Sequence, residues 1–379
     1  MRIALVHDCI CNKGGAERVL LNMHKAFPGA TIFTSVYDKK HTYPEFQDCI
    51  IETSWIQRIT ANENFFKKTF IIFGLWAMQR HDLSSYDIIL MSSTNCAKYV
   101  KTNKNNFVIN YCHSPFRLAW NPNSYTLYEK AKGLKKIVLN KVINLLKRID
   151  YYYAQKTDKF IANSNITIDR IRKYYCIKDE IKIIKPSIDT SNFTVSTIND
   201  DYYLIVSRLE KYKKVDLVIK AFNKLGSNIK IVGHGTEEAE LKKLANNNIE
   251  FIGRVNQNEL NELYSKCKAL IFPQYEDYGI TPLEANASGR PVIAYGYGGI
   301  QSTMIPFNPE KPTPDFTAIF FHQQNIESLI DSIQLFEKLN IDSIFIRKHA
   351  EKFDDQIFIR KLRSFVNTEF ERFKKNNFR

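Results

Sequence analysis

The feature that most constrains this chain is an alternation of short apolar runs with segments of helical periodicity, which occurs twice along the sequence. In the first half, buried strands are predicted at 2–7, 31–37, 88–92, 107–112 and 160–162. Helical spacing separates them, at 15–27, from about 125 to 157, and at 167–175. Strands that alternate with helices predict an α/β domain with a parallel sheet covered on both faces.

The second half repeats this alternation. Strands are predicted at 203–206, 229–232, 249–252, 269–272 and 291–294, and helices at 214–225, 236–245, 258–266 and 281–287. A polar stretch without periodicity, 187–201, separates the halves. We therefore expect two doubly wound domains, 1–195 and 196–354, with a basic helix at about 355–379 as a candidate to pack back on the first domain. Two such sheets are expected to face a central cleft.

Charge and cysteine usage restrict the partners. The formal net charge of +14 favours an acidic partner: nucleic acid, an anionic membrane or a phosphate-bearing substrate. Zinc-finger spacing and RNA-binding signatures are absent from the sequence, which argues against nucleic acid. The seven cysteines are irregularly spaced, as in a reducing compartment, and the longest apolar run, 69–78, is too short to span a bilayer. The first residues form a predicted strand rather than a secretory signal, so we expect a cytoplasmic protein.

The strongest functional motif follows the strand predicted at 269–272. Glu276 lies in the loop, where a carboxylate can bind sugar hydroxyls, and Gly279 permits close backbone approach. The amides of Gly279, Ile280 and Thr281 at a helix start predict an anion site, and Glu284, one turn later, can accept from a ribose diol. The alternative is a helix stabilised by acidic residues near its N-terminus.

A second motif follows the strand at 203–206. Arg208 at the strand end and Lys213 five residues later place two cations where they can stabilise a departing nucleoside diphosphate. A solvated basic loop is the alternative, because Lys211 and Lys214 lie beside them.

Three weaker signals also follow predicted strands. Gly14 and Gly15 after the first strand, and Gly233 before His234, allow backbone amides to approach a phosphate, although tight turns alone require glycine equally. His113 can hydrogen-bond a sugar hydroxyl, although a lone histidine is more often structural.

In order, these motifs resemble family 4 glycosyltransferases of the GT-B fold, and are similar to the subgroup that contains bacterial O-antigen mannosyltransferases. The likeness covers nearly the whole chain, from GGAER through YCHSPFRLAW, FIANSNITIDRI and SRLEKYKKVDLVIKAF to EDYGITPLEANASGRPVIA. It implies that Arg208 and Lys213 hold the donor diphosphate, Glu276 the transferred sugar and Glu284 the ribose. It further implies that Gly279–Thr281 meet the distal phosphate and that Arg254 and Val255 lie near the base. The resemblance also implies that Gly14 and Gly15 close over the donor from the other domain and that His113 lies near the sugar.

The resemblance also implies a reaction. Such enzymes retain the anomeric configuration, with the leaving phosphate accepting the acceptor's proton, and the sequence has no Asp-x-Asp metal motif. We therefore expect neither a metal nor a cofactor. Three positions depart from the family pattern and weaken any inference about sugar and base: Gln301, Ser187-Ile188 and His234.

The expected activity is transfer of a hexose, first mannose from GDP-mannose, to a lipid-linked oligosaccharide of a surface polysaccharide. A UDP-hexose donor, a GT-B nucleotide-sugar epimerase and a non-catalytic assembly scaffold remain as alternatives.

A membrane surface is a further expected partner. Between 131 and 173 Lys and Arg far outnumber Asp and Glu, and within 131–150 apolar residues recur at helical spacing. We expect this basic helix to dock on the anionic inner face of the plasma membrane, with 65–78 as a second contact. The alternative is that the apolar residues belong to the domain core.

Overall fold

The computed structural model of the protein describes residues 1–59, 74, 76–196 and 198–377. Within this part of the chain, the fold divides into two units, each built on its own parallel sheet. The first unit contains the residues up to Pro186 and those from Gln356 onward, and the second contains Ser187–Asp355. The segment 65–78, predicted as a second membrane contact, lies largely outside the described residues.

The boundary between the units precedes the one predicted at residue 195, and the reason is local packing. Ile188 and Phe193 are buried in the core of the second unit. The amide of Ile188 donates to the carbonyl of Phe353 at 3.0 Å, and Arg347 Nη1 donates to the carbonyl of Phe193 at 3.0 Å. The polar composition of residues 187–201 gives no sign of these contacts, so the sequence predicts a later boundary.

The first sheet has the strand order β3-β2-β1-β4-β5-β6-β7. Its strands are β1 (Ile3–His7), β2 (Thr31–Thr34), β3 (Ile51–Thr53), β4 (Ile88–Ser93), β5 (Phe107–Cys112), β6 (Lys159–Ala162) and β7 (Lys182–Ile183). The helices that accompany them are α1 (Gly15–Ala26), α2 (Arg117–Trp120), α3 (Thr126–Glu129), α4 (Gly133–Ala154) and α5 (Asn165–Tyr175). β1, β4 and β5 are buried along their whole length, as expected for central strands covered on both faces.

The second sheet has the order β10-β9-β8-β11-β12-β13. Its strands are β8 (Tyr203–Val206), β9 (Ile229–Val232), β10 (Ile249–Gly253), β11 (Leu270–Phe272), β12 (Val292–Tyr295) and β13 (Ala318–Phe321). The helices are α6 (Val215–Leu225), α7 (Glu238–Leu244), α8 (Gln257–Lys266), α9 (Thr281–Ala287), α10 (Ile326–Phe336) and α11 (Ser343–Glu351). Short 3-10 turns lie at Pro44–Asp48, Trp55–Arg58, Ala97–Tyr99, Pro122–Ser124, Thr190–Asn192, Lys211–Lys213 and Gly299–Ser302.

The last helix, α12 (Asp355–Asn377), packs on the first sheet although it follows the second in sequence. Phe358, Leu362 and Val366 are buried in the first core, and Arg363 Nε donates to the carbonyl of Ala26 at 2.9 Å. No helix in the described residues is long and apolar enough to cross a membrane.

Both strand orders are doubly wound, and the predicted α/β class with two Rossmann-like domains is confirmed. In such sheets the connections run in opposite directions from one pair of neighbouring strands, and ligands bind beyond the carboxyl ends of that pair. The pair is β1 and β4 in the first sheet and β8 and β11 in the second.

Candidate active site

The loops after β8 and β11 bring together three residues that the sequence predicts as donor contacts. Arg208 and Lys213 follow β8, and Glu276 follows β11. We call these three residues the β8–β11 cluster. It lies beyond the carboxyl ends of the strand pair at which the second sheet is expected to bind ligand.

The β8–β11 cluster contains an ion pair. Lys213 Nζ contacts Glu276 Oε1, and the two side chains are 12% and 24% exposed. Gln274 Nε2 donates to the same carboxylate oxygen at 3.4 Å. Arg208 is exposed and donates from Nη2 to the hydroxyl of Tyr212 at 3.0 Å, and the Tyr212 ring lies 5.2 Å from Lys213 Nζ. The cluster therefore places two cations and one carboxylate at a single accessible loop edge.

Glycines after β12 support the loop that carries Glu276. Gly298 has a φ of +98°, and a Cβ there would lie 2.6 Å from the carbonyl oxygen of Glu276. The amide of Gly299 donates to that same carbonyl at 2.7 Å, and a Cβ on Gly299 would overlap the carbonyl of Asp277. Only glycine fits both positions, so these two residues fix the backbone from which Glu276 projects.

Gly233 and Gly235 support the loop that carries Arg208 in the same way. A Cβ on Gly233, whose φ is +129°, would overlap the carbonyl oxygen of Ser207. A Cβ on Gly235 would overlap the carbonyl of Leu209. Close packing of the loops after β9 and β8 therefore requires both glycines, and the predicted phosphate contact of Gly233 stays a prediction.

His234, between those glycines, contacts Arg254. Arg254 Nε lies 2.9 Å from His234 Nδ1. Burial and the neighbouring guanidinium of Arg254 lower the pKa of His234, so the ring is neutral near pH 7. Arg254 and Val255, predicted to lie near the base, line a groove of about 550 Å³ that also involves Tyr202 and Glu259.

The residues predicted to bind the phosphate and ribose lie around the start of α9. Gly279 has a φ of +89°, which favours glycine, and Pro282 occupies the first helical turn. Glu284 is partly exposed, and its Oε2 accepts a hydrogen bond from the hydroxyl of Tyr264 at 2.8 Å. This bond orients the carboxylate from a buried tyrosine on α8.

In the first unit, His113 belongs to a hydrogen-bonded group at the carboxyl ends of β1, β4 and β5. Its Nε2 lies 2.8 Å from Ser92 Oγ, and Ser92 Oγ lies 3.0 Å from His7 Nδ1. Burial and the neighbouring His7 lower the pKa of His113 to about 3. We call His7, Asp8, Ser92 and His113 the histidine cluster.

Asp8 shapes the loop after β4. It is 3% exposed, and Oδ2 accepts from the amide and the hydroxyl of Thr94, both at 2.6 Å, and from the amide of Asn95 at 3.0 Å. Oδ1 accepts from the amide of Ala97 at 2.7 Å. Burial alone would raise the pKa of Asp8, but His7 and these hydrogen bonds lower it. Asp8 is therefore a structural anion that holds the loop beside the histidines.

Gly14 and Gly15 lie at the start of α1. A Cβ on Gly14 would overlap the carboxylate of Glu17, which is buried within the first turn, so a larger residue there would require that side chain to shift. Gly15 is exposed. Their predicted contact with the donor stays a prediction.

The predicted membrane helix, α4, has two apolar faces. Ile143 and Leu146 are buried in the first unit, as the core alternative requires. A second set remains exposed, with fractions of 77% for Leu134, 54% for Ile137 and Val138, and 58% for Leu145. Lys135, Lys141 and Arg148 are exposed along the same helix.

A buried polar group fixes the inner face of α4. Asp150 is fully buried and contacts Lys98 Nζ at 2.8 Å. Its carboxylate accepts from the Tyr99 hydroxyl at 3.1 Å, from Trp120 Nε1 at 2.7 Å and from the Tyr175 hydroxyl at 2.7 Å. Four partners satisfy this carboxylate, and together they fix the rotation of α4 about its own axis. The same apolar residues of α4 therefore always face outward.

The sequence did not predict three residues of the histidine cluster: His7, Asp8 and Ser92. Each polar side chain lies in or directly after an apolar strand, where such residues usually serve backbone turns. The detectable signal is that histidine, aspartate and serine end neighbouring central strands, which requires knowing that β1 and β4 pair.

Comparisons with known proteins match this architecture. A model of the family described as Glycosyltransferase Family 4 matches residues 13–192, and one described as Glycosyl transferases group 1 matches residues 190–356. The alpha-1,3/1,6-mannosyltransferase ALG2 of Candida glabrata is 24% identical, over 98% of this chain and 92% of its own length. The O-antigen chain mannosyltransferase RfbU of Salmonella typhimurium is 30% identical over 48% of this chain and 54% of its own.

Solved structures share the fold at low identity. Sucrose-phosphate synthase from Thermosynechococcus elongatus superimposes with a TM-score of 0.73 at 15% identity, over 98% of this chain and 100% of that one. Anabaena HepE in complex with UDP gives 0.71 at 14% identity, over 97% of this chain and 100% of that one. These likenesses establish the GT-B fold.

Proposed function

The chain belongs to the family 4 glycosyltransferases, and we propose that it transfers mannose from GDP-mannose to a lipid-linked oligosaccharide. The observation that supports donor binding is the β8–β11 cluster, in which Lys213 pairs with Glu276 and Arg208 lies on the same loop as Lys213, at the expected ligand-binding edge of the second sheet. The choice of mannose rests on the mannosyltransferases among its relatives.

In the proposed reaction, Arg208 and Lys213 bind the donor diphosphate and Glu276 binds hydroxyls of the hexose. The bond between the anomeric carbon and the phosphate oxygen breaks while the acceptor hydroxyl oxygen attacks from the same face. The acceptor's proton passes to the leaving phosphate oxygen, so no protein base is needed. Charge that develops on the diphosphate is stabilised by the two cations.

We further propose that these two cations replace a divalent metal ion. Both project from a loop whose backbone is fixed by Gly233 and Gly235. A pair of prepositioned cations stabilises leaving-group charge without reorganisation, which is the role that a metal ion has in other transferases.

The proposed acceptor is lipid-linked, and α4 supports this part of the proposal. Its exposed Leu134, Val138 and Leu145 lie on a helix with exposed lysines, which suits a peripheral position at an anionic membrane surface such as the inner face of the plasma membrane.

The test is thermal stabilisation by GDP, UDP, ADP and their sugars, with EDTA present. We expect the guanine series alone to raise Tm, because a ligand at 100 times its Kd stabilises the native state by about 2.7 kcal/mol. A shift with uridine compounds would replace GDP-mannose by a UDP-hexose, and a shift that needs Mg²⁺ would refute the metal-free proposal.

Transfer is then measured with a lipid-linked glycan acceptor. Nucleoside diphosphate release that depends on the acceptor supports a transferase. Release or sugar inversion without acceptor would instead identify an epimerase, and binding of no nucleotide would identify a scaffold.

A further inference from the structure

Three side chains of the histidine cluster, those of His7, Ser92 and His113, form a relay, which is a chain of hydrogen bonds across neighbouring strands. His7 ends β1, Ser92 lies in β4 and His113 follows β5. His7 and Ser92 are 2% and 0% exposed, so both are shielded from water, whereas His113 keeps partial exposure. The Ser92 hydroxyl lies between the two rings, at 3.0 Å from His7 Nδ1 and 2.8 Å from His113 Nε2.

The donors and acceptors in this relay follow from one carbonyl group. His7 Nδ1 lies 3.0 Å from the backbone carbonyl oxygen of Ser92, which can only accept a hydrogen bond. His7 Nδ1 therefore carries a proton and donates to both oxygens of Ser92. Because Ser92 Oγ accepts from His7, its own proton is available to His113 Nε2. His113 Nε2 is then an acceptor.

We propose that His7 and Ser92 are positioning residues that hold His113 as a neutral imidazole protonated at Nδ1. With Nε2 engaged by Ser92, Nδ1 is the ring nitrogen that remains for a ligand. His113 thus presents an N–H donor and is not a proton acceptor at that position. The identity of the ligand, a hydroxyl oxygen of the transferred hexose, rests on the proposed function.

The surroundings keep both rings neutral. Burial lowers the pKa of His7 and of His113, and the neighbouring His7 lowers the pKa of His113 further. The charged group that faces them is the Asp8 carboxylate, which acts in the opposite direction. Four hydrogen bonds from the loop after β4 stabilise this charge, and their dipoles partly offset its field at the histidines. Tyr111 packs against His113 with ring centroids 5.0 Å apart and holds the ring in place.

This arrangement has a consequence for catalysis. An Nδ1–H group can bind and orient a sugar oxygen, but it cannot take the proton of the attacking hydroxyl. This agrees with the proposed reaction, in which the proton passes to the leaving phosphate oxygen, and His113 then acts only through the hydrogen bond that it donates.

The test is the nitrogen NMR spectrum of the full chain labelled with ¹⁵N-histidine, recorded at pH 7 without substrate. Of the eight histidines, His113 is assigned by the signals that disappear in His113→Gln. We expect a protonated Nδ1 and an unprotonated Nε2. A proton on Nε2, or on both nitrogens, would overturn the proposal, and His113→Asn provides the same assignment if His113→Gln fails to fold.

A matched pair of serine variants tests the relay. Ser92→Ala removes the hydroxyl that donates to His113, so we expect His113 to shift toward the tautomer protonated at Nε2. Ser93→Ala is the control, because Ser93 is also buried in β4 but donates from Oγ to Asn110 Oδ1 at 2.7 Å. Unchanged His113 signals in Ser92→Ala would refute the role of Ser92.

Activity provides an independent readout. Ser92→Ala is expected to lower kcat roughly tenfold, the equivalent of one hydrogen bond, with the KM of the donor nearly unchanged, whereas Ser93→Ala keeps kcat. Equal kcat values in the two variants would refute the positioning role. If the unmodified protein shows no transfer at all, the proposed function fails while the tautomer measurement still stands.

Discussion

At the scale of single residues, the ion pair between Lys213 and Glu276 places two predicted donor contacts in competition. A diphosphate must share Lys213 with a carboxylate that is 24% exposed. Glu276→Gln keeps the shape of the side chain but removes the charge that Lys213 faces. We expect nucleoside diphosphate affinity to stay the same or to rise a few-fold, because Lys213 gains freedom to bind phosphate. Transfer should fall by at least about 100-fold, since the hexose loses a charged hydrogen-bond acceptor.

Calorimetric titration with the diphosphate and an initial-rate assay measure the two effects separately. Glu240→Gln is the control, because Glu240 pairs with Lys243 on the surface of the same unit and both side chains are 70% exposed. A parallel loss of diphosphate binding and transfer in Glu276→Gln would contradict the assignment of Glu276 to the sugar.

Residues of the β8–β11 cluster are predictable from sequence because each belongs to a loop motif after an apolar run. The residues that hold the cluster side chains in place are harder to predict from sequence. Gly298 and Gly299 follow β12, and their contact with the Glu276 loop depends on which strands are neighbours. The same holds for Ser92, which touches His7 and His113 only because β4 lies between β1 and β5. Sequence spacing identifies candidate site residues but not the side chains that orient them.

At the scale of elements, the apolar residues of α4 have two explanations, packing in the domain core and docking on a membrane, and the two faces of the helix separate them. Its inner face is fixed by Asp150, and its outer face leaves Leu134, Val138 and Leu145 exposed. Replacing these three residues by Gln should change the free energy of unfolding little, because they are exposed and Gln is a good helix former. Binding to vesicles containing phosphatidylglycerol should fall by at least about tenfold, since burial of each large apolar side chain contributes about 1.5–3 kcal/mol.

Vesicle sedimentation measures this effect, with phosphatidylcholine vesicles as the neutral reference. Ile344→Gln is the matched control, because Ile344 is 57% exposed on α11 of the second unit. Equal binding of the triple variant and the unmodified chain would show that the outer face of α4 does not reach the membrane.

Most central elements follow from hydrophobic periodicity, whereas the edges of the fold do not. β3 and β7 contain three and two residues, too few to show a pattern. β13 and the helices α10 and α11 follow the last predicted strand and lack the loop motifs that mark the earlier elements. α12 is periodic in sequence, but its partner is a sheet formed by residues far away along the chain.

At the scale of the whole molecule, stability should depend on pH through buried histidines of the first unit. Burial lowers the pKa values of His7, His81 and His113, in the last case to about 3. Below the ordinary histidine pKa of 6.5 the unfolded chain binds protons that the folded chain rejects. Folding stability is therefore lost as pH falls below about 6.5, by about 2 kcal/mol from His113 alone between pH 7.5 and 5. Asp8, with its lowered pKa, adds a loss only at still lower pH, below about 4.

Urea unfolding followed by tryptophan fluorescence at pH 7.5, 6.5, 5.5 and 5 measures this effect. All three tryptophans, Trp55, Trp76 and Trp120, belong to the first unit, so the signal reports the unit that contains the histidines. We expect the unfolding midpoint to fall steadily between pH 6.5 and 5, and to fall less steeply in His113→Gln, which has no proton to gain. A midpoint that stays constant over this range would mean that these rings are protonated as readily in the folded chain as in the unfolded one, which is incompatible with a neutral relay at His113.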